Sequence, residues 1–141
     1  MKRALFLALS LPAMLAAAPK SGAKIVTYRD TGCSCCEEWV KNARQAGSTV
    51  ELHDLDRAER LRRFHLTEEN AGCHTSLVAG YLVEGHVPLD VVARLLRERP
   101  PIRGIAAPGM PTGIAGMGGP RSGPVDIVTL ESHPRVYVRI P

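Results

Sequence analysis

Apolar and polar positions along this chain alternate with two different periods. Lys24-Ile25-Val26-Thr27-Tyr28 is a short β-like run, and Thr49-Val50-Glu51-Leu52-His53 alternates strictly, which predicts a strand at each. Between them Cys36, Trp39, Val40 and Ala43 recur at i, i+3, i+4 and i+7, the buried stripe of a helix over 35–46 with Gly47 as its C-cap. Asp56 followed by Glu59 reads as a capping box opening a second helix through Leu61 and Phe64. Asn70-Ala71-Gly72 predicts a turn ahead of Cys73-His74. Thr75–Ala79 is strand-like, Gly80 reverses the chain, and Tyr81-Leu82-Val83 returns. Pro88 suits the first turn of a third helix. Its inner stripe is Val91, Val92, Leu95 and Leu96, and Pro100-Pro101 stops it. Val125–Leu130 and Arg135–Ile140 alternate around His133-Pro134, predicting a terminal β-hairpin.

The order is therefore α/β, β-α-β-α-β-β-α, with a C-x-x-C at the junction of the first strand and first helix. It resembles the thioredoxin-like fold. That resemblance implies a third strand antiparallel to the first and a fourth antiparallel to the third. Cys33–Cys36, Cys73-His74 and Gly85-His86 then share one rim of the sheet. The core is expected over 24–100. Residues 101–141 add a Gly/Pro/Met-rich loop over 101–124 and the hairpin, packed on the same domain. A long loop of this composition in a compact domain is usually functional or disordered.

At 141 residues the chain fits one domain, and 45% hydrophobic content suffices for a core. With aromatics at only 4%, aliphatic side chains must fill most of it. Residues 1–18 read as a secretory signal. Lys2 and Arg3 form the charged end, Ala4 to Leu15 the apolar run, and Ala16-Ala17-Ala18 the small residues of a cleavage region. Cleavage is expected near Ala16–Ala17, or later at Ala23. The apolar run is short for a membrane span, so no stable insertion is expected once the signal is removed. A periplasmic location follows, where unprotected thiols tend to oxidise. The formal charge of +4 falls by two without Lys2 and Arg3. No basic stripe carries stacking aromatics, which argues against nucleic acid as a partner. The arginines at 57, 60, 62, 63, 94, 97 and 99 read as solvated helix faces.

The chemistry is concentrated in Cys33-Ser34-Cys35-Cys36, three of the four cysteines in the chain. Free N–H groups and the positive end of a helix favour thiolate there. Purely structural disulfides fit poorly. A vicinal Cys35–Cys36 bridge is strained, and a Cys33–Cys36 bridge is redox-active rather than structural. A sulfur-rich metal site fits better. Crowded thiolates with a Cys73-His74 pair favour Cu(I) over hard cations, and shared sulfurs favour several bridged metals. Zinc remains open through Cys2His2 or Cys3His sets, whereas iron–sulfur spacings do not match. Met110 and Met117 would add thioethers suited to Cu(I). The candidate ligands are thus Cys33, Cys35, Cys36, Cys73, His74, His86, Met110 and Met117, with Cys33 and Cys36 also a candidate redox pair. Cys35 could instead pack on the helix, and His86 could serve as a cap. Trp39 reads as core, and His53, His65 and His133 as surface histidines.

Together Tyr28, GCSCCEEW, GCHTSLVAGYLVEGHVP and GIAAPGMPTGIAGM resemble the small periplasmic proteins of the CopG type, a family also catalogued as a domain of unknown function. The likeness spans about residues 24–130. It implies a thioredoxin-like core, copper handling or resistance, and copper bound through the cysteine motif. Carried over by position, it implies the ligand pool Cys33, Cys35, Cys36, Cys73 and His74, with His86, Met110 and Met117 as further candidates. Metal ions and other periplasmic copper proteins are the implied partners. Ordinary thioredoxins carry a cis-proline where His74 stands here. Its loss opens the thiols to metal and tilts the expectation away from disulfide exchange.

Overall fold

The computed structural model describes residues 22–141. The predicted signal over 1–18 lies outside them. In chain order the elements are β1 (Lys24–Asp30), α1 (Ser34–Gln45), β2 (Thr49–Leu55), α2 (Arg57–Arg63), β3 (His74–Val78), β4 (Tyr81–Glu84), α3 (Leu89–Glu98), β5 (Gly104–Ala106), β6 (Val125–Thr129) and β7 (Val136–Ile140). The strands form one mixed sheet in the order β2-β1-β3-β4-β5-β6-β7. β1 pairs parallel with β2, and β4 with β5; the remaining neighbours are antiparallel.

Alternation along the strands splits the core between the two faces of the sheet. Val83 and Ile105 pack with Trp39, Val40 and Ala43 of α1 and with Val91, Val92 and Leu95 of α3. Their neighbours Leu82 and Ala106 pack on the other face with Leu61 of α2, Phe64 and Leu66. The predicted stripes of α1 and α3 are the buried ones, apart from Leu96, which is half-buried at the edge of the core. Asp56 caps α2 by accepting the N–H of Glu59, as the capping-box pattern predicts. α3 ends at Arg99, whose left-handed backbone (φ 51°) turns the chain into Pro100-Pro101.

Two features differ from the sequence expectation. The segment after α3 is not loop from its start: Gly104–Ala106 forms β5, fully buried and hydrogen-bonded to both β4 and β6. Three residues are too few to show alternation, and sheet pairing on both sides supplies what the local pattern lacks. The terminal hairpin of β6 and β7 extends the same sheet beyond β5. In addition, Arg60 of α2 is fully buried, not solvated.

The register fixes where the functional residues gather. Arg29 lies opposite His74, and Thr75 opposite Glu84. The end of β1, the start of β3 and the end of β4 thus meet at one rim, against the first turn of α1.

Candidate metal centre

The turn between β1 and α1 is held at its base. The Asp30 carbonyl accepts the Cys33 N–H at 3.0 Å, and the Arg29 guanidinium reaches the Cys33 carbonyl at 3.3 Å. Arg29 is fixed in turn by Asp54, at 2.5 Å, and by Glu37. Cys33 is the N-cap residue of α1, and its side chain makes no capping hydrogen bond. Cys33 and Cys36 are joined as a disulfide, with Cα atoms 5.6 Å apart; Cys35 and Cys73 are free.

β3 brings Cys73 and His74 to the same place. The Cys73 sulfur lies 3.3 Å from that of Cys36 and 3.7 Å from that of Cys35, and the Cys33 and Cys35 sulfurs are 3.3 Å apart. Two residues past the end of β4, His86 places Nε2 3.1 Å from Cys73 Sγ. Its Nδ1 lies 2.6 Å from the Ala115 carbonyl. A carbonyl only accepts, so Nδ1 carries the proton and the Nε2 lone pair faces the sulfur. His74 is fully buried, with its ring 5.0 Å from that of Trp39 and 4.9 Å from that of His86. Its Nδ1 approaches Cys73 Sγ at 3.5 Å, while its Nε2 is a buried nitrogen with no hydrogen-bond partner among the described residues.

Once the Cys33–Cys36 disulfide is reduced, these side chains offer two overlapping donor sets, in each of which the ligand atoms lie within 4.8 Å of one another. One is all sulfur: Cys33, Cys35, Cys36 and Cys73. The other is buried and mixed: Cys36, Cys73, His74 and His86. Burial drives both imidazoles below their ordinary value, His74 furthest, with His86 and Arg60 adding to the effect. Each histidine is therefore neutral, the form that ligates metal. Burial first, and then the neighbouring Cys35, push the Cys73 thiol up to about 12. Without metal that thiol keeps its proton at neutral pH, and binding as thiolate releases it. Sulfur and imidazole donors, one buried nitrogen left without a partner, and no carboxylate in either set suit a soft or borderline cation.

The predicted ligands divide into two groups. Cys33, Cys35, Cys36, Cys73, His74 and His86 converge, and Cys35 does not pack away on the helix. Neither is His86 a cap: Pro88 occupies the N-cap of α3. Met110 is 52% exposed on the loop after β5, and Met117 is half-buried against the main core. What that loop places against the ligands is a backbone carbonyl, that of Ala115. Gly116 permits the approach. Its φ is +79°, and a Cβ there would lie 2.8 Å from the Trp39 nitrogen and 3.2 Å from His86 Nδ1. Spacing in the sequence gives no sign of a carbonyl ligand to a histidine. Trp39, read as core, is core, but it also walls the site: its indole N–H donates to the Val87 carbonyl at 2.8 Å and its ring covers His74.

The family described as a protein of unknown function, DUF411, matches residues 70–117. Two solved structures of copper resistance protein CopG, forms 2 and 1, superpose on this chain with TM-scores of 0.76 and 0.75. Each is 34% identical over 84% of this chain, which spans 98% and 97% of theirs. No curated protein matches the sequence. The chain thus belongs to the DUF411 family of CopG-like copper resistance proteins, and the cysteine–histidine cluster at its sheet rim is its candidate metal centre.

Proposed function

We propose that this protein is an exported copper-binding protein that takes Cu(I) as cargo onto the sulfur-rich rim, to sequester it or pass it on, and so contributes to copper resistance. The observation carrying this reading is the convergence of four sulfurs and two neutral imidazoles within 4.8 Å in each of two sets that share Cys36 and Cys73. Shared sulfurs are what a site for several bridged Cu(I) ions needs. Met110 and Met117 remain candidate thioether donors on the adjoining loop. The thioredoxin-like assignment for 24–100 is supported by β1, β3 and β4 meeting antiparallel beside a helix that opens at the C-x-x-C. The apolar run after Lys2-Arg3 supports export to the periplasm, and among the described residues no helix is long and apolar enough to cross a membrane. Other periplasmic copper proteins are the expected donors and acceptors.

A second reading is favoured by the Cys33–Cys36 disulfide beside two free thiols. As a thiol or copper oxidoreductase, the disulfide would accept two electrons and two protons to give two thiols. One electron would come from each of two Cu(I) ions, or both from a dithiol. Oxidising the pair again would take two ligands from the copper site, so the two readings share a mechanism.

Elemental analysis and thiol counting on protein reduced and purified without oxygen test both. Several equivalents of Cu(I) per chain, lost in Cys36→Ser and Cys73→Ser proteins with retained far-UV circular dichroism, are expected. Normal copper uptake by a protein lacking both cysteines would overturn the rim site. Copper-independent disulfide turnover through Cys33 would favour the enzyme. Zinc that Cu(I) fails to displace would favour a zinc-stabilised scaffold on the mixed set.

A further inference from the structure

Gly72 precedes Cys73, and both of its backbone polar groups are held by charged side chains. Its N–H donates to Glu84 Oε1 at 2.8 Å. Its carbonyl accepts from Arg60 Nη2 and from Arg57 Nη1, each at 2.9 Å. Arg60 and Glu84 are both fully buried and bond each other at 2.8 Å. Arg60 also donates to Asp30 Oδ1 at 2.8 Å and to Thr75 Oγ1 at 2.7 Å, and the Thr75 hydroxyl donates to Glu84 Oε2 at 2.5 Å. The Asp30 N–H closes the circuit by donating to the Cys73 carbonyl at 2.9 Å. One network therefore spans β1, α2, β3 and β4 and grips Gly72, the Cys73 carbonyl and Thr75. Behind it there is no slack, because a Cβ on Gly72 would lie 2.6 Å from the Gly85 Cα.

Net stability is a weak reason for such a pair. Apolar residues of similar volume often replace a buried ion pair at no loss. A guanidinium with five donors in a rigid plane offers direction instead, fixing several acceptors relative to one another. We propose that the Arg60–Glu84 pair is a positioning device for Cys73: by clamping the peptide groups of Gly72 it holds the Cys73 sulfur within reach of Cys35, Cys36 and His86. The proposal rests on the metal-binding reading for its purpose, but its geometry can be tested without copper.

In a Cys33→Ser/Cys35→Ser protein the remaining sulfurs, Cys36 and Cys73, are 3.3 Å apart. Diamide joins two thiols as a disulfide and takes up their two electrons and two protons to become the hydrazine. The closure rate is thus a ruler for Cys73. Adding Arg60→Met/Glu84→Leu, which removes both charges, should slow closure by about ten-fold or more while the urea midpoint stays near that of the parent. Glu84→Gln, which keeps the volume and one acceptor, should fall between. In the chain with all four cysteines the same pair of changes should weaken Cu(I) binding by about ten-fold or more and alter the thiolate–copper absorption. Equal closure rates at equal stability would overturn the proposal. Should the double variant fail to fold, Glu84→Gln decides by the same comparison with its parent. Slow closure in a family of variants whose wild type takes up no copper would remove the copper reading and leave the clamp standing. Copper uptake by the wild type with unchanged closure would do the reverse.

Discussion

Two residues of the loop after β5 should respond very differently to loss or gain of a few atoms. Met110 is exposed, between Gly109 and Pro111. Met110→Ala should leave stability unchanged and weaken Cu(I) binding only modestly, by about three-fold or less. Gly116→Ala adds a methyl group against the backbone of Trp39 at a left-handed φ. The loop must move, and the Ala115 carbonyl moves with it. His86 then loses the partner that keeps its Nε2 aimed at Cys73. A destabilisation of about 1–3 kcal/mol is expected from overpacking, with Cu(I) affinity down by about ten-fold. Urea unfolding and competition against a chromophoric Cu(I) chelator would measure both. Equal losses for the two variants would remove the distinction between thioether and carbonyl as the loop's contribution.

Among the elements, those with a long periodic stripe were legible and those defined by distant partners were not. α1 has four buried residues at helical spacing, and α2 announces itself through Asp56 and Glu59, so both follow from local chemistry. The convergence of Cys33, Cys36, Cys73 and His86 follows from strand order once the elements are placed in sequence. β5 does not, because its three residues are defined by β4 and β6. Neither does the inward face of α2: Arg-Ala-Glu-Arg-Leu-Arg-Arg reads as a solvated charge run, and nothing local separates Arg60 from Arg62. Their difference lies in Glu84 and Asp30, far along the chain in both directions. Burial alone would lower the Arg60 pKa, but the two carboxylates more than offset it and hold the guanidinium above its ordinary value. Arg60→Ala therefore strands Glu84 in the interior and should cost about 3–5 kcal/mol. Arg62, whose side chain is 74% exposed and pairs with Glu59 in its own helix, should cost about 0.5 kcal/mol or less on the same change. Chemical denaturation of the two variants side by side would show whether α2 carries one buried arginine or merely a charged surface.

At the scale of the whole molecule, the metal-free fold carries two buried imidazoles that it cannot easily charge. His74 and His86 are both held below the ordinary value of 6.5, chiefly by burial, and His74 also faces His86 and the Arg60 guanidinium. The sign follows from proton counting. Below pH 6.5 the unfolded chain binds a proton at each histidine, while the folded chain does so only at lower pH. Falling pH therefore favours the unfolded state across that interval, by up to about 1.4 kcal/mol per pH unit for each imidazole that stays neutral. Glu84 works in the opposite direction. Burial pushes its carboxyl above the ordinary value despite Arg60, so falling pH favours the folded state as this group takes up its proton. The histidine effect should appear as a loss of stability as the pH falls below about 6.5. Urea unfolding of the metal-free protein across this range should show it, and His74→Phe should reduce the slope by roughly the share of one imidazole. An unchanged slope in the variant would mean that the His74 ring takes up its proton within the fold and does not stand ready as a neutral ligand. A metal centre that must accept its cargo without first expelling protons from its histidines needs them neutral. The stability profile thus measures, in the absence of any metal, whether the buried half of the site is poised to bind.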